Sequence, residues 1–82
     1  MNFHFNIRYI KYTYDDILAL YARFGYEEFT RKMCEGIELR YSIKRLSNEA
    51  VIGKSRKVDG RIHYKLSKFV VDTCIKYKAE HE

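Results

Sequence analysis

The chain has no proline, and its four glycines are scattered. It also lacks low-complexity runs and internal repeats, so nothing marks a linker or a boundary. Residues 1–82 read as a single domain. No apolar run approaches the roughly 18 residues that a membrane span needs, so no membrane association is expected. The opening MNFHFNIRYIKY lacks the continuous apolar stretch and small-residue cleavage site of a signal peptide, and none is expected. The expected location is the cytoplasm, or the cytoplasm or nucleoid of a host cell.

Chemistry-bearing clusters are equally scarce. Cys34 and Cys74 form no CxxC pair and are expected as reduced, half-buried thiols. His4, His63 and His81 share no ligand spacing with each other or with a cysteine, so no metal is expected. There is no glycine-rich phosphate loop and no local pairing of a nucleophile with a base. Asp15-Asp16 and Glu27-Glu28 are adjacent carboxylates at expected helix starts, where the helix dipole accounts for them. Neither a cofactor nor an enzymatic activity is expected.

What the chain does have is apolar residues and positive charge. Hydrophobic residues make up 46% and aromatics 16%, which suits a folded chain. The net charge of +5 is unevenly placed. Residues 1–38 carry five basic and six acidic side chains, and residues 69–82 carry two and three. Residues 39–68 carry nine basic and two acidic. A localised basic segment favours a polyanionic partner.

Phe3, Phe5, Ile7 and Tyr9 alternate along residues 3–12, the pattern of a half-buried strand. Thr13-Tyr-Asp-Asp16 has the form of a helix start, Ile17, Leu20, Tyr21 and Phe24 follow at helical spacing, and Gly25 suits a stop. A second helix is expected over about 26–35, with Phe29 and Met33 one turn apart. A third is expected over 37–50. On a helical wheel its Leu39, Ile43, Leu46 and Ala50 form a core stripe. Arg40, Tyr41, Lys44, Arg45, Ser47 and Asn48 lie outward, and Glu38 and Glu49 fall on the other flank.

Asp59-Gly60 between two β-capable runs is a strong hairpin signal, and a two-residue loop fixes the register. Val58 then opposes Arg61, Lys57 opposes Ile62, Arg56 opposes His63, Ser55 opposes Tyr64 and Lys54 opposes Lys65. One face collects Lys54, Arg56, Val58, Arg61, His63 and Lys65. The other collects Ser55, Lys57, Ile62, Tyr64 and Leu66 and should pack inward. Directly opposed cations destabilise a strand pair, so their presence points to an anionic partner. A closing helix is expected from Ser67, its N-cap, to about Lys78, with Phe69, Val70, Val71, Cys74, Ile75 and Tyr77 apolar; residues 79–82 should fray.

The segment ELRYSIKRLSNEAVIGKSRKVDGRIHYKLS resembles the recognition helix and wing of the winged helix-turn-helix superfamily. IKRLSNEAVIGKS looks like that superfamily's recurrent helix end before the first wing strand, and DGRIHYKLS looks like the returning strand. With SKFVVDTCIKY after the wing, the chain is similar to excisionase-like and MarR- or ArsR-like regulators. The resemblance spans roughly residues 26–78 and departs at CEGIE, where an alanine and a glycine-Ser/Thr turn are usual. It implies an α+β winged helix with an N-terminal strand, three helices, a two-stranded basic wing and a C-terminal helix.

The function implied is that of a small double-stranded-DNA-binding protein, a transcriptional or recombination-directing regulator of a phage, virus or mobile element. Arg40, Tyr41, Lys44, Arg45 and Asn48 match the superfamily's base-reading positions. Lys54, Arg56, Arg61, His63 and Lys65 of the wing (51–67) would follow the phosphates. A monomer of this size covers few base pairs, so a homodimer on a two-fold site is expected. The other reading is a winged helix that binds a host or partner protein with an acidic surface. In it, Phe3, Phe5, Tyr9, Tyr12 and Tyr14 make the contact.

Overall fold

Ile10, Thr13, Ile17 and Leu20 recur at the helical period, and they are buried along one side of the first helix, α1 (Ile10–Phe24). The helix starts before the Thr13 expected from the sequence. Thr13 is consequently not a cap: its Oγ1 donates to the Tyr9 carbonyl at 2.8 Å, inside the first turns. Gly25 ends the helix as expected, with φ 61° and its N–H donating to the Tyr21 carbonyl. The structure, a computed structural model, describes residues 9–81. Most of the strand expected over 3–12 therefore lies outside the described residues, and at its far end residues 10–12 are helical instead.

The second helix expected over 26–35 is replaced by a two-residue strand, β1 (Phe29–Thr30), and a 3₁₀ turn at Lys32–Cys34. An aromatic and a β-branched residue suit a pleated, buried position. Phe29 is fully buried and stacks on Phe24 with ring centroids 4.8 Å apart and planes 9° from parallel. Thr30 Oγ1 then accepts the Met33 N–H at 3.3 Å and starts the 3₁₀ turn. Met33, expected to pack one turn from Phe29, is exposed.

The third helix is much shorter than expected. It is α2 (Ile43–Asn48), capped by Ser42, whose Oγ accepts the Arg45 N–H at 3.1 Å. Ile43 and Leu46 are buried as expected, but Leu39 lies partly buried in the non-helical lead-in, and Ala50 lies past the end. The C-terminus closes with Val51 N–H bonded to the Leu46 carbonyl and Ala50 N–H to that of Ser47, a Schellman arrangement with Ala50 at φ 58°.

The hairpin forms where Asp59-Gly60 placed it. Both turn residues have positive φ, 51° and 79°, as a type I′ turn requires. It joins β2 (Gly53–Val58) to β3 (Arg61–Lys65), and β1 completes an antiparallel sheet in the order β1-β3-β2. The last helix, α3 (Lys68–His81), begins with Ser67 Oγ accepting the Val70 N–H at 3.1 Å and runs on through residues expected to fray. It packs on α1, with Tyr14 and Tyr77 rings 5.4 Å apart, and buries Val70, Val71 and Cys74. Phe69 and Ile75 of the expected apolar face are exposed. The result is a small α+β domain of three α-helices and one three-stranded sheet among the described residues.

Candidate nucleic-acid interface

Five residues read from the sequence as base-reading candidates flank or occupy α2, but they do not share a helix. Lys44, Arg45 and Asn48 are exposed on α2 itself. Arg40 and Tyr41 lie in the segment that leads into it. That segment is held non-helical by Asp16 of α1, whose Oδ1 and Oδ2 accept the N–H groups of Arg40 and Tyr41 at 2.8 Å each. Asp16 is 3% exposed, and its burial is balanced by these two charge-assisted bonds.

The clamp orients a cationic and aromatic cluster. Arg40 Cζ lies 5.8 Å and Arg45 Cζ 5.4 Å from the centre of the Tyr41 ring, both within cation–π reach. Arg45 Nε also approaches Glu49 Oε1 at 3.8 Å, a long, largely exposed pair that holds little. Arg45 and Glu49 border a pocket of about 240 Å³ lined by Tyr9, Tyr12, Thr13 and Tyr41, which joins the start of α1 to α2.

The hairpin departs from the expected register in an informative way. Val58↔Arg61, Lys57↔Ile62 and Arg56↔His63 pair as expected, but a bulge between Lys54 and Arg56 then sets Lys54 opposite Tyr64 and Gly53 opposite Lys65. The expected Lys54–Lys65 and Ser55–Tyr64 pairs do not exist. One like-charge clash is thus removed by the backbone. The other, Arg56 across from His63, is neutralised by Glu28 just before β1.

Glu28 Oε2 accepts from Arg56 Nε at 2.8 Å and lies 3.5 Å from His63 Nδ1, while Oε1 accepts from Ser55 Oγ at 2.8 Å. In a regular strand Ser55 and Arg56 would point to opposite faces; the bulge lets both reach one carboxylate. The Ser55 and Arg56 hydrogen bonds, with the charges of Arg56 and His63, hold the Glu28 carboxyl below its ordinary range. Opposed cations in this hairpin are therefore not by themselves a sign of a polyanionic partner. Arg56 and His63 already have an internal anion.

Arg40, Lys44, Lys54, Lys57, Arg61 and Lys65 remain exposed, and none forms an ion pair with a carboxylate among the described residues. Lys57 was not among the expected contacts, because it was assigned to the inward face; it is exposed on β2. Asp16 and Glu28 were read as helix-start acids, and their partners lie 24 to 28 residues away. A carboxylate on the apolar stripe of α1 was the one available signal for Asp16; nothing local marked Glu28. No family model, curated protein or solved structure matches the chain.

Proposed function

We propose that the protein binds double-stranded DNA as a small regulator of the winged-helix kind. In this reading α2 and its lead-in address the bases, and the hairpin lies along the phosphates. The observation that supports it most is the surplus, among the described residues, of exposed cations without an ion pair on α2, its lead-in and the hairpin after Glu28 and Glu49 have taken their partners. An α-helix with its side chains is about 10–12 Å across, so the six-residue α2 can enter a major groove about 12 Å wide. Arg45 has the geometry to bridge guanine O6 and N7, and Asn48 to bridge adenine. The element order, with a basic hairpin after a short exposed helix, is compatible with a winged helix.

The deciding measurement is a titration of labelled random duplex at two salt concentrations, with sequencing of the retained fraction. Salt-sensitive binding with an enriched sequence supports the proposal. Salt-sensitive binding without enrichment leaves the phosphate contacts and removes the base-reading role of α2. Absence of any duplex retention at physiological salt overturns the proposal in favour of an acidic protein partner.

A further inference from the structure

β1 ends after pairing Phe29 with Tyr64 and Thr30 with His63, while β3 continues toward the hairpin tip through Ile62 and Arg61. At Arg31 the chain leaves the sheet for the 3₁₀ turn, so among the described residues no strand pairs with Arg61 and Ile62 on the β1 side. The gap is a cleft of about 450 Å³ between the 3₁₀ turn and the hairpin. Its lining includes Arg31 and Lys32 from one wall, Arg61 from the other, and a single carboxylate, Glu35.

The hairpin supplies its own comparison for these charges. Where Arg56 faces His63, the fold brings in Glu28, whose Oε2 lies 2.8 Å from Arg56 Nε and 3.5 Å from His63 Nδ1. Among the described residues Arg31, Lys32 and Arg61 have no such partner, and Glu35, although it lines the same cleft, forms an ion pair with none of them. Among the described residues, three exposed cations therefore border one concave site with a single unpaired acid among them. Such a site favours a compact anion whose several oxygens can be shared by two guanidinium groups and an ammonium, as a phosphate's can.

We propose that this cleft receives a backbone phosphate of the bound nucleic acid, so that Arg31 and Lys32 extend the contact made by Arg61. The inference rests on the DNA-binding reading and adds a region outside the basic segment 39–68. Phosphate contacts position a protein without reading sequence, so the site should act on every duplex alike.

The experiment compares the full-length wild type with R31Q/K32Q by anisotropy titration of a labelled duplex across a series of salt concentrations. A second double variant, R23Q/K76Q, removes the same charge from exposed positions outside the cleft. If both residues neutralise phosphate, R31Q/K32Q lowers the log–log salt slope by about 1.8 on all duplexes tested, at about 0.9 for each cation removed from the phosphates. The control should leave the slope near that of the wild type. Wild-type binding with an unchanged slope in R31Q/K32Q overturns the cleft assignment alone. An equal drop in both variants also overturns it, because the effect is then one of net charge. No binding by the wild type overturns the DNA-binding reading and this inference together. Circular dichroism melts of both variants establish that each is folded.

Discussion

Asp16 Oδ2 accepts the backbone N–H of Tyr41 at 2.8 Å, joining the middle of α1 to the entrance of α2. Oδ1 does the same for Arg40. These two bonds hold the backbone of the lead-in just before Ser42 caps α2. Asp16→Ala removes both acceptors and leaves two N–H groups short of partners. It should cost about 3 kcal/mol, and Asp16→Asn, which keeps one acceptor, about half as much. Urea denaturation at pH 7 measures both. If Asp16→Ala is as stable as the wild type, the clamp does not hold this segment.

Glu28 gives the hairpin a pH dependence with a definite sign. Its carboxyl is held below the ordinary glutamate range in the folded protein, chiefly by Ser55 and Arg56. The stability it contributes is therefore fully present above the ordinary glutamate pKa. It is lost as pH falls through the lower, folded value. Carbon-detected titration should place the Glu28 midpoint below the ordinary glutamate value. Glu28→Gln should flatten the acid limb of the stability profile. On the DNA-binding reading, the same variant releases Arg56 and His63 and should tighten duplex binding, steepening the salt slope by up to about 0.9. A Glu28 midpoint at or above the ordinary glutamate value would remove the basis for both expectations.

The hairpin tip and the start of the chain's last helix were legible because their signals are local. Asp59-Gly60 determines the turn, and the first three strand pairs follow from it. Ser67 caps its own helix. The errors fall where a distant residue intervenes. Leu39 and Ile43 have helical spacing, yet Asp16 draws the backbone between them out of the helix. Residues 26–35 carry a helical apolar pattern, but Phe29 and Thr30 find partners on β3. The cation pattern on the hairpin was visible, whereas the acid that answers half of it came from Glu28. Likewise Arg31 and Lys32 meet Arg61 only once β1 is in the sheet.

Ala50 stands where a helix terminus of this type usually has glycine. At φ 58° its Cβ is strained, and the surrounding Schellman bonds fix it there. Ala50→Gly relieves the strain at the expense of a freer unfolded chain. The net gain should be about 1 kcal/mol, or a rise of about 4–8 °C in melting temperature for a domain of this size. A lower melting temperature in Ala50→Gly would contradict the left-handed terminus.

Both cysteines are free and buried, rather than half-buried as expected from the sequence. Burial raises the Cys34 thiol above its ordinary value and pushes Cys74 to about 12. At pH 8 only about one Cys74 in 10⁴ is then a thiolate. Ellman's reagent should leave both thiols unmodified in native buffer for as long as the domain stays folded, and titrate both at once in guanidinium chloride. Rapid native labelling of Cys74 would place it outside the α1–α3 core.

On the DNA-binding reading, Tyr41 separates the electrostatic part of binding from the part that reads sequence. Two guanidinium groups lie within cation–π reach of its ring, Arg40 at 5.8 Å and Arg45 at 5.4 Å, so it restrains their direction without altering their charge. Tyr41→Phe keeps the ring and should preserve sequence preference. Tyr41→Ala removes it and frees Arg45 to sample other rotamers. Discrimination between the selected site and a scrambled duplex should fall by about tenfold, within the range that a single bidentate base pairing supplies. The salt slope should stay as in the wild type, because every phosphate-neutralising charge is still present. Parallel titrations of the two duplexes at three salt concentrations give both quantities. If Tyr41→Ala weakens both duplexes equally and flattens the slope, the Arg40–Tyr41–Arg45 cluster is itself a phosphate-binding element, and base reading must be sought at Lys44 and Asn48.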